Sequence, residues 1–409
     1  MLPCQKHLFS LPDGMHYLNC ANLSPLLKSA EAAGVEGIRR KVVPTRIQPP
    51  DWFPEVEALR AALGQAIHAS PERIAFVPSV SYGAAIATHH IRLQAGQNVV
   101  LPADEFPSMV YGWMERCKQD GGTLRFVPRP EPGSGSASQP GSAQGSQPGT
   151  APRPGTAPRP GTAARWSARV CEAIDRNTGV VSLTAVHWTD GTPFDLAAIA
   201  RRAREVGAWL IVDGTQSVGA LPFDFEALAP DLLVCAGYKW LLGPYQYGFV
   251  AVGPRLMEAE PLEMNWINRE GSEDFTHLTH YRDGYRAGAR RFDAGEHSNF
   301  ILVPMLLAAV RQILAWGVPE IQAYGEALAR ELAAALGEGP FTLAGPADRC
   351  GHLFGVGVPP GLSLPRLVDT LRQRNVYVSV RGSAVRVSPH VFNTPDDVHA
   401  LAEALRAAV

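Results

Sequence analysis

The stretch Ala208 to Val252, AWLIVDGTQSVGALPFDFEALAPDLLVCAGYKWLLGPYQYGFVAV, constrains the fold more than any other part of the chain. An apolar run, Trp209–Val212, ends in an acid, Asp213; a second, Leu232–Cys235, is followed at once by Ala236–Lys239. Continuous apolar runs of this length read as strands buried on both faces, the kind found in parallel sheets. The carboxyl ends of such strands open onto the ligand crevice. Asp213 and Lys239 are thereby delivered to one sheet edge, and Gly237 and Gly243 allow a tight backbone around the lysine.

Ile74–Val77, Asn98–Leu101, Gly179–Val186 and Tyr247–Val252 read as further strands, with helical patterns starting near Ser81 and over Leu196–Val206. Strands alternating with helices predict an α/β domain over residues 50–291, with a mostly parallel sheet flanked by helices. Phe300–Trp316 and Pro319–Leu336 read as long helices, and Leu353–Val358, Val376–Val380 and Ala384–Ser388 as short strands. Thr394 as cap, Pro395 at the first helical position and Asp397 three after the cap open a final helix. These elements predict a smaller α+β domain over 292–409, with residues 1–49 packing partly against it. Residues 128–164 stand apart: they hold no Leu, Ile, Val, Phe or other aromatic residue and repeat the unit APRPGT. Such a segment buries too little apolar surface to offset its conformational entropy, so a disordered insertion is expected there.

The charge balance, 37 Lys+Arg against 39 Asp+Glu, argues against a dedicated nucleic-acid binder. No apolar run approaches the roughly 18 to 20 residues that span a bilayer, so no membrane partner is expected. The start, MLPCQKHLFS, has no long apolar core of a signal peptide. Six scattered cysteines form no C-x-x-C pair and no disulfide framework, which makes a reducing cytoplasm the expected location and leaves no metal site in view.

An acid and a lysine at neighbouring strand ends have three readings: a structural ion pair, an acid that binds a ribose, and a pyridoxal phosphate site. The second needs a G-x-G-x-x-G turn upstream, which the Asp190–Gly191 region does not supply.

The motifs D-G-T-Q-S (Asp213 to Ser217), G-Y-K-W (Gly237 to Trp240) and G-P (Gly243–Pro244) resemble those of class V, fold-type I pyridoxal-phosphate enzymes. That family includes aminotransferases, cysteine desulfurases, kynureninases and isopenicillin N epimerase-like proteins, and the resemblance covers nearly the whole chain except the insertion. It implies pyridoxal 5'-phosphate bound as a Schiff base to Lys239, with Asp213 at the pyridine nitrogen and Gln216 at the ring oxygen. It further implies Val80 and Ser81, in PSVSYGAA, and Tyr238 at the phosphate, with Phe106 stacked on the ring. Asp190, in VHWTDGTPFDL, matches the position of a polar residue near the ring oxygen; the alternative is an acid bonding backbone in its own turn. Ser298, in RFDAGEHSN, matches a segment that reaches the partner's phosphate, which implies a two-fold homodimer with shared active sites. Arg386 matches the residue that holds a substrate carboxylate, Arg381 is a second cation nearby, and Asn19 lines the substrate side.

The implied activity is an aminotransferase-like reaction on an amino acid. The alternatives are a C–S or C–C lyase, an epimerase, and a non-catalytic sensor that keeps the cofactor. Between Asn375 and Arg386 there is no cysteine, and Cys350 reads as buried and inert, which disfavours persulfide-forming desulfuration.

Overall fold

A computed structural model of the 409-residue chain describes residues 2–130, 161–382 and 384–409. The strands in chain order are β1 (His16–Tyr17), β2 (Ile74–Val77), β3 (Asn98–Pro102), β4 (Thr123–Val127), β5 (Thr178–Thr184), β6 (Trp209–Asp213) and β7 (Leu232–Ala236). There follow β8 (Gly248–Val252), β9 (Thr342–Leu343), β10 (Phe354–Gly357), β11 (Val376–Tyr377), β12 (Ser379–Arg381) and β13 (Ala384–Val387). Seven of them form the main sheet in the order β2-β8-β7-β6-β5-β3-β4. Only β8 runs against its neighbours, pairing antiparallel with both β2 and β7. This is the mostly parallel α/β sheet that the strand–helix alternation predicts.

Period-two alternation divides the side chains of each central strand between two buried faces. Leu210 and Val212 of β6, with Leu233 and Cys235 of β7, enter the core shared with the carboxyl-terminal part. Ile211, Leu232 and Val234 enter a second core on the opposite face, with Ile86, Ala87 and Trp113. Gly83 of the helix Val80–His90 lets that helix lie against Val234 and Val250, since an added Cβ would meet the Val250 side chain at 2.8 Å. Helices on both faces leave only the strand ends open.

The carboxyl-terminal part carries a four-stranded antiparallel sheet in the order β12-β13-β10-β9. The strand expected at Val376–Val380 is two strands. β11 pairs in parallel with β1 from the amino-terminal segment, whereas β12 pairs with β13. The first residues are therefore tied to the carboxyl-terminal part by strand pairing and by a bridge between Asn19 and Ser388. The final helix, Pro395–Ala407, begins with the reciprocal Thr394–Asp397 capping box that its sequence predicts. Of the proposed insertion 128–164, residues 131–160 lie outside the described residues. At its far end the boundary is corrected: Thr162–Ala173 is helical, because Ala163 and Trp166 are buried and Asp348 accepts the backbone N–H of Gly161 and Ala163.

Candidate active site

The carboxyl ends of β2, β3, β5, β6 and β7 lie along one sheet edge, and the reversed β8 brings its first residue, Gly248, to the same edge. A cavity of about 410 Å³ opens there, within the size range of small-molecule sites. Asp213, Gln216, Tyr238, Lys239, Phe106, Val80 and Ser81 all line it. Residues from four separate segments of sequence are thus brought together.

Lys239 is 8% exposed. Burial lowers its amine from the ordinary lysine value to about 8, with Asp213 opposing that shift and Arg386 reinforcing it. The turn that presents it is tight: Gly243 N–H donates to the Gly237 carbonyl at 2.9 Å, and Gly237 N–H to the Tyr247 carbonyl at 3.1 Å. A Cβ on Gly237 would collide with that Tyr247 oxygen, so glycine is required by close approach. Asp213 is 4% exposed, and burial raises its carboxyl above the ordinary value. Its Oδ1 accepts the Thr215 N–H at 2.8 Å, while Thr215 Oγ1 accepts the Ala236 N–H at 3.1 Å and ties the acid's loop to β7. Asp213 and Lys239 line the same cavity and feel each other's charge, yet form no ion pair.

The helix Val80–His90 points its amino terminus at the cavity. Ser79 caps it, accepting the Tyr82 N–H at 3.1 Å, and Ser79 and Ser81 hydroxyls are 3.0 Å apart. The first-turn N–H groups and two hydroxyls make a site suited to a dianion. Phe106 lies with its ring centre 5.7 Å from Lys239 Nζ and packs edge-on against Trp188 at 5.6 Å. Glu105, absent from the sequence-derived set, fixes this wall. Its two oxygens accept the N–H of Phe106 at 2.6 Å and of Thr184 at 2.8 Å, and burial pushes its carboxyl up to about 7. Tyr238 packs against Tyr245, a second unanticipated wall residue, with ring centres 4.6 Å apart.

Gln216 is held at both ends: Oε1 accepts Trp240 Nε1–H at 2.9 Å and Nε2 donates to the Ala21 carbonyl at 3.2 Å. His352 bonds the Gln216 carbonyl at 2.8 Å from below, and its ring meets Trp240 edge-on. The sequence signal for Gln216 was its motif; the Trp240–His352 support behind it comes from segments too distant to pair by inspection.

Four expected residues are not walls of the cavity: Asp190, Ser298, Arg386 and Asn19. Asp190 is not a wall of the cavity. It forms an ion pair with Arg129 and accepts both the backbone N–H and the hydroxyl of Thr192, at 3.2 and 3.0 Å. The arginine draws its carboxyl well below the usual range against the cost of burial. Trp188, two residues earlier, lines the cavity instead, as does Thr184. Ser298 is also outside the cavity: it is 5% exposed, and its hydroxyl has no hydrogen-bond partner among the described residues.

Arg386 stands beside the cavity, behind Trp188. Its Nη1 donates to the Trp188 carbonyl at 2.9 Å and its Nη2 to Ser379 Oγ at 3.5 Å, and Ser379 Oγ donates to Asn19 Oδ1 at 2.8 Å. Asn19 therefore holds the arginine through a serine. Arg386 is 2% exposed, has no carboxylate partner among the described residues, and keeps an unbonded Nε.

The wall residues fit pyridoxal phosphate: an anion-binding helix terminus, an aromatic face, a buried acid and a buried amine of lowered basicity, none of them neutralised by another. The comparisons with known proteins agree. The model of the aminotransferase class-V family matches residues 164–407, and the chain belongs to that family of pyridoxal-phosphate enzymes. Isopenicillin N epimerase from Streptomyces clavuligerus is 25% identical over 95% of this chain and 94% of its own. A probable cysteine desulfurase from Methanothermobacter thermautotrophicus is 25% identical over 86% of this chain and 83% of its own. Among solved structures, the cystine C–S lyase C-DES in complex with cysteine persulfide superposes with a TM-score of 0.80. That match has 20% identity and covers 96% of this chain and 97% of the other, so it speaks for the fold alone.

Proposed function

We propose that this enzyme acts on an α-amino acid, with Arg386 taking the carboxylate and Lys239 handling the proton on the α-carbon, and that it transfers the amino group. The observation that carries the proposal is the presence of two buried basic groups with no carboxylate ion pair among the described residues: an amine lowered to about 8 and a guanidinium that bonds only a carbonyl and a hydroxyl. A buried charge without a partner is costly, so its retention fits a ligand that completes it. Bound in the cavity, pyridoxal phosphate supplies an aldehyde and an electron-accepting ring.

The chain's own residues do the rest. The first-turn N–H groups of Val80 and Ser81, with the hydroxyls of Ser79 and Ser81, would hold the phosphate. Asp213, positioned by Thr215, would pair with the ring nitrogen, and Phe106, held in place by Glu105, would pack against the ring. The Lys239 amine is neutral in a useful fraction of molecules near pH 7 and so accepts a proton from the α-carbon and returns one. Asn19 and Ser379 orient Arg386.

Cysteine-based persulfide chemistry is disfavoured. Among the described residues no cysteine lines the cavity. Cys350 is buried, and its thiol is pushed up to about 12. Cys20, which donates to the Lys239 carbonyl at 3.8 Å, is buried with its thiol raised still further by burial. Part of the same proposal is a two-fold assembly of identical chains. Tyr245, at the mouth of the cavity, is 69% exposed and is an apolar surface that a second copy covers.

The test is a panel of amino acids given to the protein loaded with pyridoxal phosphate. Appearance of a new amino acid from an added keto acid supports the proposal. Release of pyruvate and ammonia, or inversion without transfer, overturns amino transfer in favour of elimination or epimerisation.

A further inference from the structure

We infer that the substrate carries a second anionic group, which Arg381 receives while Arg386 holds the α-carboxylate. This inference rests on the function proposed above and specifies its substrate class. The register of β12 and β13 pairs Ser379 with Arg386 and Arg381 with Ala384. Residues two apart on a strand share a face, so Arg381 stands on the face of Ser379, diagonal to Arg386, with Cβ atoms roughly 7 to 8 Å apart.

Both guanidinium groups border the same wall residue. Arg386 donates to the Trp188 carbonyl, and the Arg381 guanidinium lies 5.9 Å from the centre of the Trp188 ring. Neither arginine forms an ion pair among the described residues, although other arginines of the chain pair readily with acids, Arg60 with Asp293 and Arg290 with Glu57 among them. Arg381 donates through Nη1 only to the carbonyl of its neighbour Val380, and its Nε is buried with no partner. Arg386 Nε is buried and unbonded as well. The field of Arg381 adds to burial in lowering Arg386, to about 10. Two cations that weaken one another are retained side by side, with donors left over on each. An anion pair spanning them satisfies both donors and cancels the repulsion. A neutral amino acid would answer only Arg386. The matching substrate is an α-amino acid with a carboxylate or another oxyanion on its side chain.

The experiment uses the full chain loaded with pyridoxal phosphate and reads tryptophan fluorescence and the visible cofactor band. Butyrate is titrated against succinate, glutarate and adipate. The best dicarboxylate binds about tenfold more tightly than butyrate, the weight of one additional charge-assisted contact. Arg381→Gln brings that ratio to about one, Arg381→Lys keeps more of it than the glutamine variant, and Arg386→Gln weakens every acid. Equal affinities in the unaltered protein overturn the second subsite, and so does an Arg381→Gln protein with its ratio intact or a lysine variant no better than glutamine. Failure of the broader proposal looks different: the loaded protein then releases pyruvate and ammonia, or inverts its substrate, with no amino transfer, and the binding ratios above still decide the subsite.

Discussion

Burial of Lys239 sets a pH midpoint that can be measured without any turnover. Its amine is lowered from 10.5 to about 8, so enclosure costs the ammonium form about 3 kcal/mol relative to water. At pH 7 about a tenth of the molecules hold a neutral amine, against roughly three in ten thousand for a lysine in water. Two neighbours adjust the value in opposite senses, Asp213 upward and Arg386 downward. Competitive acetylation of the cofactor-free protein over pH 6 to 11, read by mass spectrometry of the Lys239 peptide, reports the titration directly. The predicted midpoint is about 8. Asp213→Asn moves it lower and Arg386→Met moves it higher. A midpoint near the ordinary lysine value of about 10.4 refutes the reasoning, and so do variants that shift it in the reverse directions.

Other predictions concern the frame around the site. His390 is fully enclosed, stacks on Trp240 and Phe392, and has neither ring nitrogen bonded among the described residues; burial lowers it to about 3, and its neighbour His352 to about 4. Folded-state values below the unfolded one mean that the unfolded chain binds more protons in acid, so stability is complete above about pH 6.5 and falls as pH drops toward 4. His390→Phe removes one such proton and flattens the loss by about 1.4 kcal/mol per pH unit; urea unfolding at pH 7, 6 and 5 checks this, and parallel slopes contradict it. Arg60 and Asp293 form a fully buried ion pair at 2.8 Å, and Asp293 also accepts the Phe76 N–H at 2.7 Å. Asp293→Ala leaves Arg60 with the longer Glu57 contact at 3.3 Å and the Ile74 carbonyl and lowers stability by about 3 kcal/mol, again measured by urea unfolding; a loss under about 1 kcal/mol contradicts that account.

The elements that position the site were legible because their signals are local. β2 begins and ends where its apolar run does, and the helix Leu196–Val206 and the Thr394–Asp397 cap follow their sequence patterns. Strand β4 carries no comparable signal, since its residues are mostly half-buried or exposed at the edge of the sheet. Asp213 and Lys239 were legible because strand ends and glycine turns determine where they fall, and Gln216 because the D-G-T-Q-S motif resembles that of the family. Asp190 was not: its partner, Arg129, lies sixty-one positions earlier, and a turn acid paired with a distant arginine looks in sequence like an acid facing a cofactor. Glu105 and the Trp240–His352 support were invisible for the same reason, since burial and long-range hydrogen bonds give them their roles.

Borohydride reduction of the pyridoxal-phosphate-loaded protein, followed by peptide mapping, tests the central claim most directly. The chain has five lysines, at positions 6, 28, 41, 118 and 239, so the assignment is unambiguous. The account predicts one reduced pyridoxyl adduct, on Lys239, and its disappearance in Lys239→Ala. An adduct spread over the other lysines, or unchanged in that variant, contradicts it.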